Sequence, residues 1–246
     1  MTQRTLFISD LHLAGERPAT NELFFRFLRD EASRAQALYV LGDLFEYWVG
    51  DDELREDADT EPLGREVAAA FRRLADGGVQ VALLHGNRDF LIAEEFCARS
   101  GARLLADPSV LEINDGRLVV LHGDTLCTDD RDYQAWRSVA RSESWRRDFL
   151  AKPLAERHAA TAGMRAKSKE VIAAKPADIM DVNQEAVREA FRRHGVRRMI
   201  HGHTHRPARH ELEVDGARCE RWVLPDWYGR GGYLALDDVG PRLVSF

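Results

Sequence analysis

Three histidines fall within five residues at His201-Gly202-His203-Thr204-His205, directly after the apolar pair Met199 and Ile200. Two imidazoles one residue apart on a loop leaving a strand can face one point, and Gly202 lets that loop turn tightly. Four other short apolar runs end in polar residues of the same kind: Asp10-Leu11-His12, Gly42-Asp43, Gly86-Asn87-Arg88-Asp89 and His122-Gly123-Asp124. The set Asp10, His12, Asp43, Asn87, His122, His203 and His205 is too large for one ion. Carboxylate, amide and imidazole donors without thiolate suit two divalent ions such as Mn²⁺ or Fe²⁺ better than structural zinc. A carboxylate bridging two ions about 3.5–4 Å apart can hold a hydroxide between them for in-line displacement at phosphorus. The chemistry expected is hydrolysis of a phosphate ester or anhydride.

Such residues need strands to deliver them. Thr5 to Ser9, Ala37 to Leu41 and Val79 to Leu84 are continuous apolar runs, the pattern of strands buried on both faces. Between them lie helical patterns, one with Leu23, Phe24, Phe27 and Leu28 capped by Thr20 or Asn21, the other with Val67, Ala70, Phe71 and Leu74 stopping at Gly77-Gly78. This order predicts parallel βαβ units, with the polar residues at the C-terminal strand ends at one sheet edge. Val110 to Ile113 and Leu118 to Leu121, across Asn114-Asp115-Gly116, predict a hairpin. A helix with Val187 and Phe191 precedes the strand Arg198 to Ile200, and the remainder to Phe246 is strand-rich.

The chain of 246 residues is 44% hydrophobic, enough for one large domain over 1–246. With 35 Lys and Arg against 41 Asp and Glu its net charge is −6, which gives no sign of a general nucleic-acid binder. Three widely spaced cysteines, Cys97, Cys127 and Cys219, suggest neither a disulfide framework nor a zinc ribbon, and fit a reducing compartment. No apolar run approaches the length of a membrane span and no signal peptide is evident, so a cytoplasmic protein is expected. One segment differs. From Arg131 to Lys175 the chain is helical and Trp-bearing, with eleven Lys and Arg against five Asp and Glu, a local excess of +6 that leaves −12 elsewhere. A cationic helical run can be a solvated face or a cover over a site, and 131–176 is expected to be a helical lid inserted in the domain.

In order and at strand ends, D-x-H, G-D, G-N-x-D, H and G-H-x-H resemble the calcineurin-like metallophosphoesterases. The resemblance implies an α/β fold, the family's βαβ sandwich, and two metal ions. Asp10, His12, Asp43 and His205 would hold the first ion, Asp43, Asn87, His122 and His203 the second, with Asp43 the bridge. The chain departs from the commoner Gly-Asn-His-Asp in having Arg88 where many relatives carry a histidine that protonates the leaving alkoxide. A phosphate leaving group, with its last pKa of about 6, needs no such proton. A guanidinium instead steadies a phosphate or pyrophosphate, so pyrophosphate cleavage is expected.

Longer motifs agree: Gly42 to Asp52, His85 to Ile92, His122 to Asp130, Met180 to Asn183 and His201 to Pro207 resemble the UDP-2,3-diacylglucosamine diphosphatases of lipid A biosynthesis. That resemblance implies attack on the α-phosphate of UDP-2,3-diacylglucosamine by a hydroxide held between two ions, preferably Mn²⁺. The products are UMP and 2,3-diacylglucosamine 1-phosphate. It also implies peripheral contact with the cytoplasmic face of the inner membrane, and it names no protein partner. Catalytic roles would fall on Asp43, Asn87, Arg88 and His203, and substrate contacts on Asn87, Arg88, Asp130, Ser168, Ile172, Lys175 and His203. At Ile172 the family position is usually polar.

Two other classes stay open: a phosphoesterase of soluble nucleotide pyrophosphates or diesters, and a metal-free scaffold. Among other polar residues, His85 and His201 either complete the core or support a ligand from behind. Asp89 and Asp124 either orient ligand histidines or cap loops. His158, His194 and His210 are expected at the surface, and Trp48, Trp136 and Trp145 in packing.

Overall fold

The computed structural model describes residues 4–57, 62–113, 116–174 and 179–246, with positions 169 and 171–174 described by backbone alone. Two sheets are stacked between helices. The first has the order β11 (Gly240–Ser245), β10 (Gly232–Asp237), β1 (Thr5–Ile8), β2 (Ala37–Leu41), β3 (Gln80–Leu84), β4 (Arg103–Leu104). Strands β1 to β4 are parallel, and β10 and β11 extend the sheet antiparallel. The second runs β5 (Ser109–Ile113), β6 (Gly116–Val120), β7 (Arg198–His201), β9 (Ala217–Val223), β8 (Ala208–Val214). Here β6, β7 and β9 are parallel, while β5–β6 and β8–β9 are antiparallel hairpins.

The apolar runs are continuous because each strand feeds two cores, with alternate side chains on opposite faces. Leu6, Ile8, Leu38, Val40, Val81 and Leu83 join the layer under α1 (Pro18–Asp30), α2 (Leu63–Asp76) and α3 (Glu94–Ser100). Phe7, Leu41, Leu84, Val120, Ile200 and Trp222 interleave between the two sheets. Val119, Met199 and Cys219 turn outward against Val187 and Phe191 of α7 (Gln184–His194).

One boundary differs from expectation. Helix α1 starts at Pro18, flanked by Arg17 without a side-chain cap, and Thr20 is buried inside it. Proline at the first helical position presets φ and has no N–H to satisfy, so the turn needs no capping hydroxyl there. The end of α2 at Gly77-Gly78 is as the sequence predicts.

Three consecutive helices, α4 (Arg131–Ala140), α5 (Glu143–Leu150) and α6 (Leu154–Ala174), follow β6. Asp130 and Ser142 cap α4 and α5 by accepting the backbone N–H of Tyr133 and Trp145. Arginines of these helices bind them to the body. Arg157 is 2% exposed; its Nη1 donates to the Val49 carbonyl at 2.6 Å and to Asp52 at 2.9 Å, and its Nε to the Lys152 carbonyl at 3.0 Å. Arg141 donates to the Gly86 carbonyl at 2.7 Å, and Arg137 pairs with Asp124 at 2.6 Å.

Replacing Arg157 with alanine removes the packed stem and leaves the Val49 carbonyl without its donor. The loss should be about 1–3 kcal/mol, because Asp52 is partly solvated. Denaturant melts should show the decrease, and limited proteolysis should cleave faster within α4–α6 than in the sheets.

Candidate metal centre

The loops after β1, β2 and β3 in one sheet and after β6 and β7 in the other meet at one place. The strand ends thus belong to two sheets rather than to the single sheet edge expected. Asp10, His12, Asp43 and His122 are at most 2% exposed. Asp43 lies between two imidazoles, its Oδ2 3.8 Å from Nε2 of His12 and its Oδ1 3.8 Å from Nε2 of His122. His12 and His205 face each other through their Nε2 atoms at 3.5 Å, and Nε2 of His205 is 3.3 Å from Oδ1 of Asp10. On the other side Oδ1 of Asn87 is 2.9 Å from Nε2 of His122 and 3.0 Å from Nδ1 of His203. All seven residues singled out in the sequence are therefore brought together. Asp10, His12 and His205 form one ligand-competent group and Asp10, Asp43 and His122 a second, so the residue common to both is Asp10, while Asp43, expected as the bridge, belongs to the second and lies 3.8 Å from His12 of the first.

The backbone is bent to achieve this. Asp10, His12, Asp43, His203 and His205 all have positive φ, between 51° and 68°, and among the described residues the one further non-glycine case is Asp215 in the β8–β9 turn. Left-handed backbone is disfavoured for side chains with a Cβ and persists where surrounding structure enforces it. Two glycines allow the close approach. A Cβ on Gly86 would lie 2.0 Å from Oδ1 of Asp43, and one on Gly202 would lie 2.2 Å from Oδ2 of Asp10. Asp89 holds the Asp43 and Asn87 loops together by accepting the N–H groups of Leu44 and Gly86 at 2.7 and 2.8 Å. It is thus a loop cap and orients no histidine. Burial and the charge of Asp43 raise its pKa to about 6 against those two donors.

The donor set fits a cation. His122 donates from Nδ1 to the Leu41 carbonyl, so its Nε2 can turn a lone pair toward Asn87 and His203. Asp10 and Asp43 have no Lys or Arg within ion-pair distance among the described residues; their close charged partners are histidines. Buried carboxylates without compensating charge are costly, and a divalent ion supplies it. Burial would lower the pKa of His122, but Asp43, Asp10 and Asp124 raise it to about 9. Burial and the neighbouring His122 charge depress His203 to about 4.

Glu46 is the functional candidate that the sequence reading missed. It is 6% exposed, with Oε2 3.2 Å from Nδ1 of His12 and Oε1 in contact with Arg165 of α6 and 3.8 Å from Arg88. Burial alone would raise its pKa, but the His12 contact and the two guanidinium groups bring it down to about 2. Its signal was a single carboxylate in the otherwise apolar run Leu44-Phe45-Glu46-Tyr47-Trp48-Val49. Tyr228 also reaches the centre, its ring 5.3 Å from that of His12, with the Arg17 guanidinium 4.4 Å over it.

The other expected residues are distributed as follows. Arg88 donates its backbone N–H to Oδ1 of Asp43 at 2.9 Å, while its side chain is 23% exposed beside Glu46. Asp130 caps α4. Ser168 lies on α6 one turn beyond Arg165, on the same helix side. The side chain of Ile172, and Lys175 as a whole, lie outside the described residues. His201 points away from the centre, bonded to the Gly202 carbonyl and to Arg221, and burial together with Arg221 lowers its pKa to about 3. His85 bonds to the Ile92 carbonyl at 2.7 Å. Asp124 accepts from Tyr133 and Arg137, so it anchors α4. His158, expected at the surface, is half-buried against Tyr47.

A family model for calcineurin-like phosphoesterases matches residues 3–207. A protein of Aromatoleum aromaticum named UDP-2,3-diacylglucosamine hydrolase is 48% identical over 239 residues, covering 97% of this chain and 95% of its own. One of the same name from Klebsiella pneumoniae is 46% identical over 242 residues, covering 98% of both. Among solved structures, an archaeal phosphodiesterase superposes over 99% of both chains with a TM-score of 0.50 at 15% identity, a likeness of fold.

Glu46→Gln keeps the size of the side chain but removes the charge behind His12. Mn²⁺ affinity, read by titration, should fall about 10–100-fold, the usual cost of losing a ligand's supporting partner. Gly202→Ala should do more, since its Cβ falls on Oδ2 of Asp10. That variant should purify without bindable metal, as elemental analysis after Mn²⁺ loading would report.

Proposed function

The chain belongs to the calcineurin-like phosphoesterases and, within them, to the UDP-2,3-diacylglucosamine hydrolases, and from that membership we propose that it cleaves the pyrophosphate of UDP-2,3-diacylglucosamine. The products are UMP and 2,3-diacylglucosamine 1-phosphate. The observation that carries the reading is near full-length similarity to enzymes of that name, joined to a buried carboxylate–imidazole centre with Arg88 on its rim.

In this reading Asp10, His12, Asp43 and His205 hold one ion and Asp43, Asn87, His122 and His203 another, with Mn²⁺ preferred for an oxygen- and nitrogen-only set. Divalent ions there supply the Lewis acidity that activates water and screens phosphate charge. The residues of the chain do the rest. Water oxygen bonds to the α-phosphorus, the bond from that phosphorus to the bridging oxygen breaks, and the bridging oxygen leaves with the sugar phosphate. Such a leaving group departs as an anion, so no protonating histidine is needed at position 88. Arg88 instead donates to the developing charge, beside Asn87 and His203. Arg88 and Arg165 share Glu46 as counter-ion, and a substrate phosphate competes with that carboxylate for both.

Helices α4–α6, with the segment 131–176, act as the lid. Trp136, Val139, Leu150 and Met164 on them are 36–53% exposed, an apolar surface for acyl chains. The exposed cations of the same segment, Arg131, Lys152 and Lys167, suit anionic headgroups at the cytoplasmic face of the inner membrane. No helix among the described residues is long and apolar enough to cross a membrane, so this contact is peripheral. Asp130, Ser168, Ile172 and Lys175 are proposed to touch substrate from the lid side.

The test is UMP release from UDP-2,3-diacylglucosamine with Mn²⁺ and after chelation, beside the same sugar nucleotide without acyl chains. Metal-dependent release from the acylated substrate is expected. Release from neither would favour soluble nucleotides or diesters, and no bindable metal would favour a scaffold. Asp43→Ala should reduce turnover to background. Arg88→Ala should cost about 10²–10³-fold on the pyrophosphate, and less on a diester with an activated leaving group; equal losses would refute the role given to Arg88.

A further inference from the structure

We propose that Arg137 is a positioning residue for the second metal ion, holding His122 in place by spanning the two buried carboxylates that flank it. That role rests on the two-ion reading, in which Asp43, Asn87, His122 and His203 hold the second ion. Arg137, on α4, sits between Asp107, whose side chain is 5% exposed, and the buried Asp124. Its Nε is 2.6 Å from Oδ2 of Asp124 and its Nη2 is 3.7 Å from Oδ2 of Asp107. Both carboxylates are tied to the chain at His122. Asp107 accepts the backbone N–H of His122 on Oδ1 at 3.1 Å, and Asp124 opens the short turn Asp124–Leu126 two residues further on. The carbonyl of His122 accepts the N–H of Gly202 at 2.8 Å, so His122 also anchors the loop that carries His203.

The register of α4 carries the same assignment. Tyr133, Arg137 and Arg141 recur every four residues and so lie along one side of the helix. Each meets a different ligand of the second ion or its support. The ring of Tyr133 is 6.0 Å from that of His203, and its hydroxyl donates to Asp124 at 2.7 Å. Arg137 brackets His122 through the two carboxylates. Arg141 donates to the carbonyl of Gly86, the residue before Asn87, at 2.7 Å, and stands 3.8 Å from Asp124. Among the described residues no hydrogen bond or ion pair runs from this side of α4 to Asp10, His12 or His205. The helix therefore backs one ion and not the whole centre.

A guanidinium suits this task because its nitrogens lie in one fixed plane and can meet two carboxylates at once. Among the described residues Arg137 is the one cation within ion-pair distance of Asp107, with Arg141 acting on it from further off. Without Arg137 two like charges stay buried side by side, and the least costly relief moves the loop of Asp107 away, taking its contact with His122 along. Charge alone would do the opposite, since removing a cation near the centre favours a bound metal ion. Position and charge thus pull the affinity for the second ion in opposite directions.

Titration of the full chain with Mn²⁺, followed by electron paramagnetic resonance, counts the bound ions and reports the exchange-coupled pair. In Arg137→Gln the second ion should bind about 10–100-fold more weakly, the usual cost of losing a ligand's supporting partner, while the first ion binds as before. Arg137→Lys keeps the charge and loses the fork, so its second-ion affinity should fall between those of the wild type and Arg137→Gln. It decides the matter if Arg137→Gln does not fold. Turnover in either variant should return toward the wild-type rate at saturating Mn²⁺, with the activation midpoint moved by the same factor, which a damaged fold would not give. Equal weakening of both ions, or tighter binding of the second, overturns the proposal. A wild-type chain that binds a single Mn²⁺ overturns the two-ion reading and this proposal with it, whereas two ions in the wild type and no change in the variants overturns this proposal alone.

Discussion

Two buried carboxylates with no lysine or arginine paired to them among the described residues govern this structure. Asp10 and Asp43 are almost inaccessible, and the charged groups near them are imidazoles that can be neutral. Left uncompensated, such a pair would destabilise any fold that buried it. The surroundings ease the cost by donation: Ser9 and the N–H of His203 donate to Asp10, and the N–H of Arg88 to Asp43. Hydrogen bonds leave the net charge in place. What removes it is a divalent cation. The left-handed backbone at five of the site residues lies at the same place, where the loops turn inward from the strand ends.

Glu46 extends this logic outward. On one side it contacts His12, and on the other it neutralises Arg88 and Arg165. Arg165 belongs to α6, so a single carboxylate joins a ligand of the metal centre to the helices above it. A phosphate entering between them must compete with Glu46 for both guanidinium groups. On the proposed function, substrate binding and the seating of α6 would be the same electrostatic exchange, and the energy of one would be felt by the other. No comparable exchange holds α4, whose Arg137 is paired with the buried Asp124, nor the α6 base, where Arg157 is locked against Val49 and Asp52.

What could be read from the sequence follows from how local each cause is. The strand ends were legible because a ligand must sit where an apolar run stops, and the runs themselves were unbroken because both faces of each strand are buried. The division into two sheets is carried by the family resemblance, with its βαβ sandwich, and not by the strand pattern, since it depends on β6 and β7 pairing with each other and not with β3. The start of α1 was misplaced because Thr20 has the type of a cap, whereas Pro18 had already set the turn. The sequence alone does not choose between the two roles of Asp89 and Asp124, because both ask for a buried carboxylate; only the direction of their partners, backbone N–H for one and Tyr133 with Arg137 for the other, separates them. Glu46 escaped because its partners lie 34 residues before it and 119 after it.

Arg88 shows why position in the fold matters more than residue type. Its backbone N–H is committed to Asp43 and its carbonyl to the N–H of Trp48, so the main chain at 88 is a fixed strut of the centre. The side chain is under no such obligation and lies partly exposed beside Glu46. A change of side chain at this point alters what the rim offers an incoming phosphate without disturbing the loops that carry Asp43 and Asn87. A histidine there would bring a transferable proton; a guanidinium brings a permanent charge and planar donors. The same metal-holding framework can therefore serve alkoxide or phosphate leaving groups through one exposed side chain. In this chain position 88 is an arginine beside an acid that also contacts His12, which suits the rim to the phosphate leaving group of the proposed reaction.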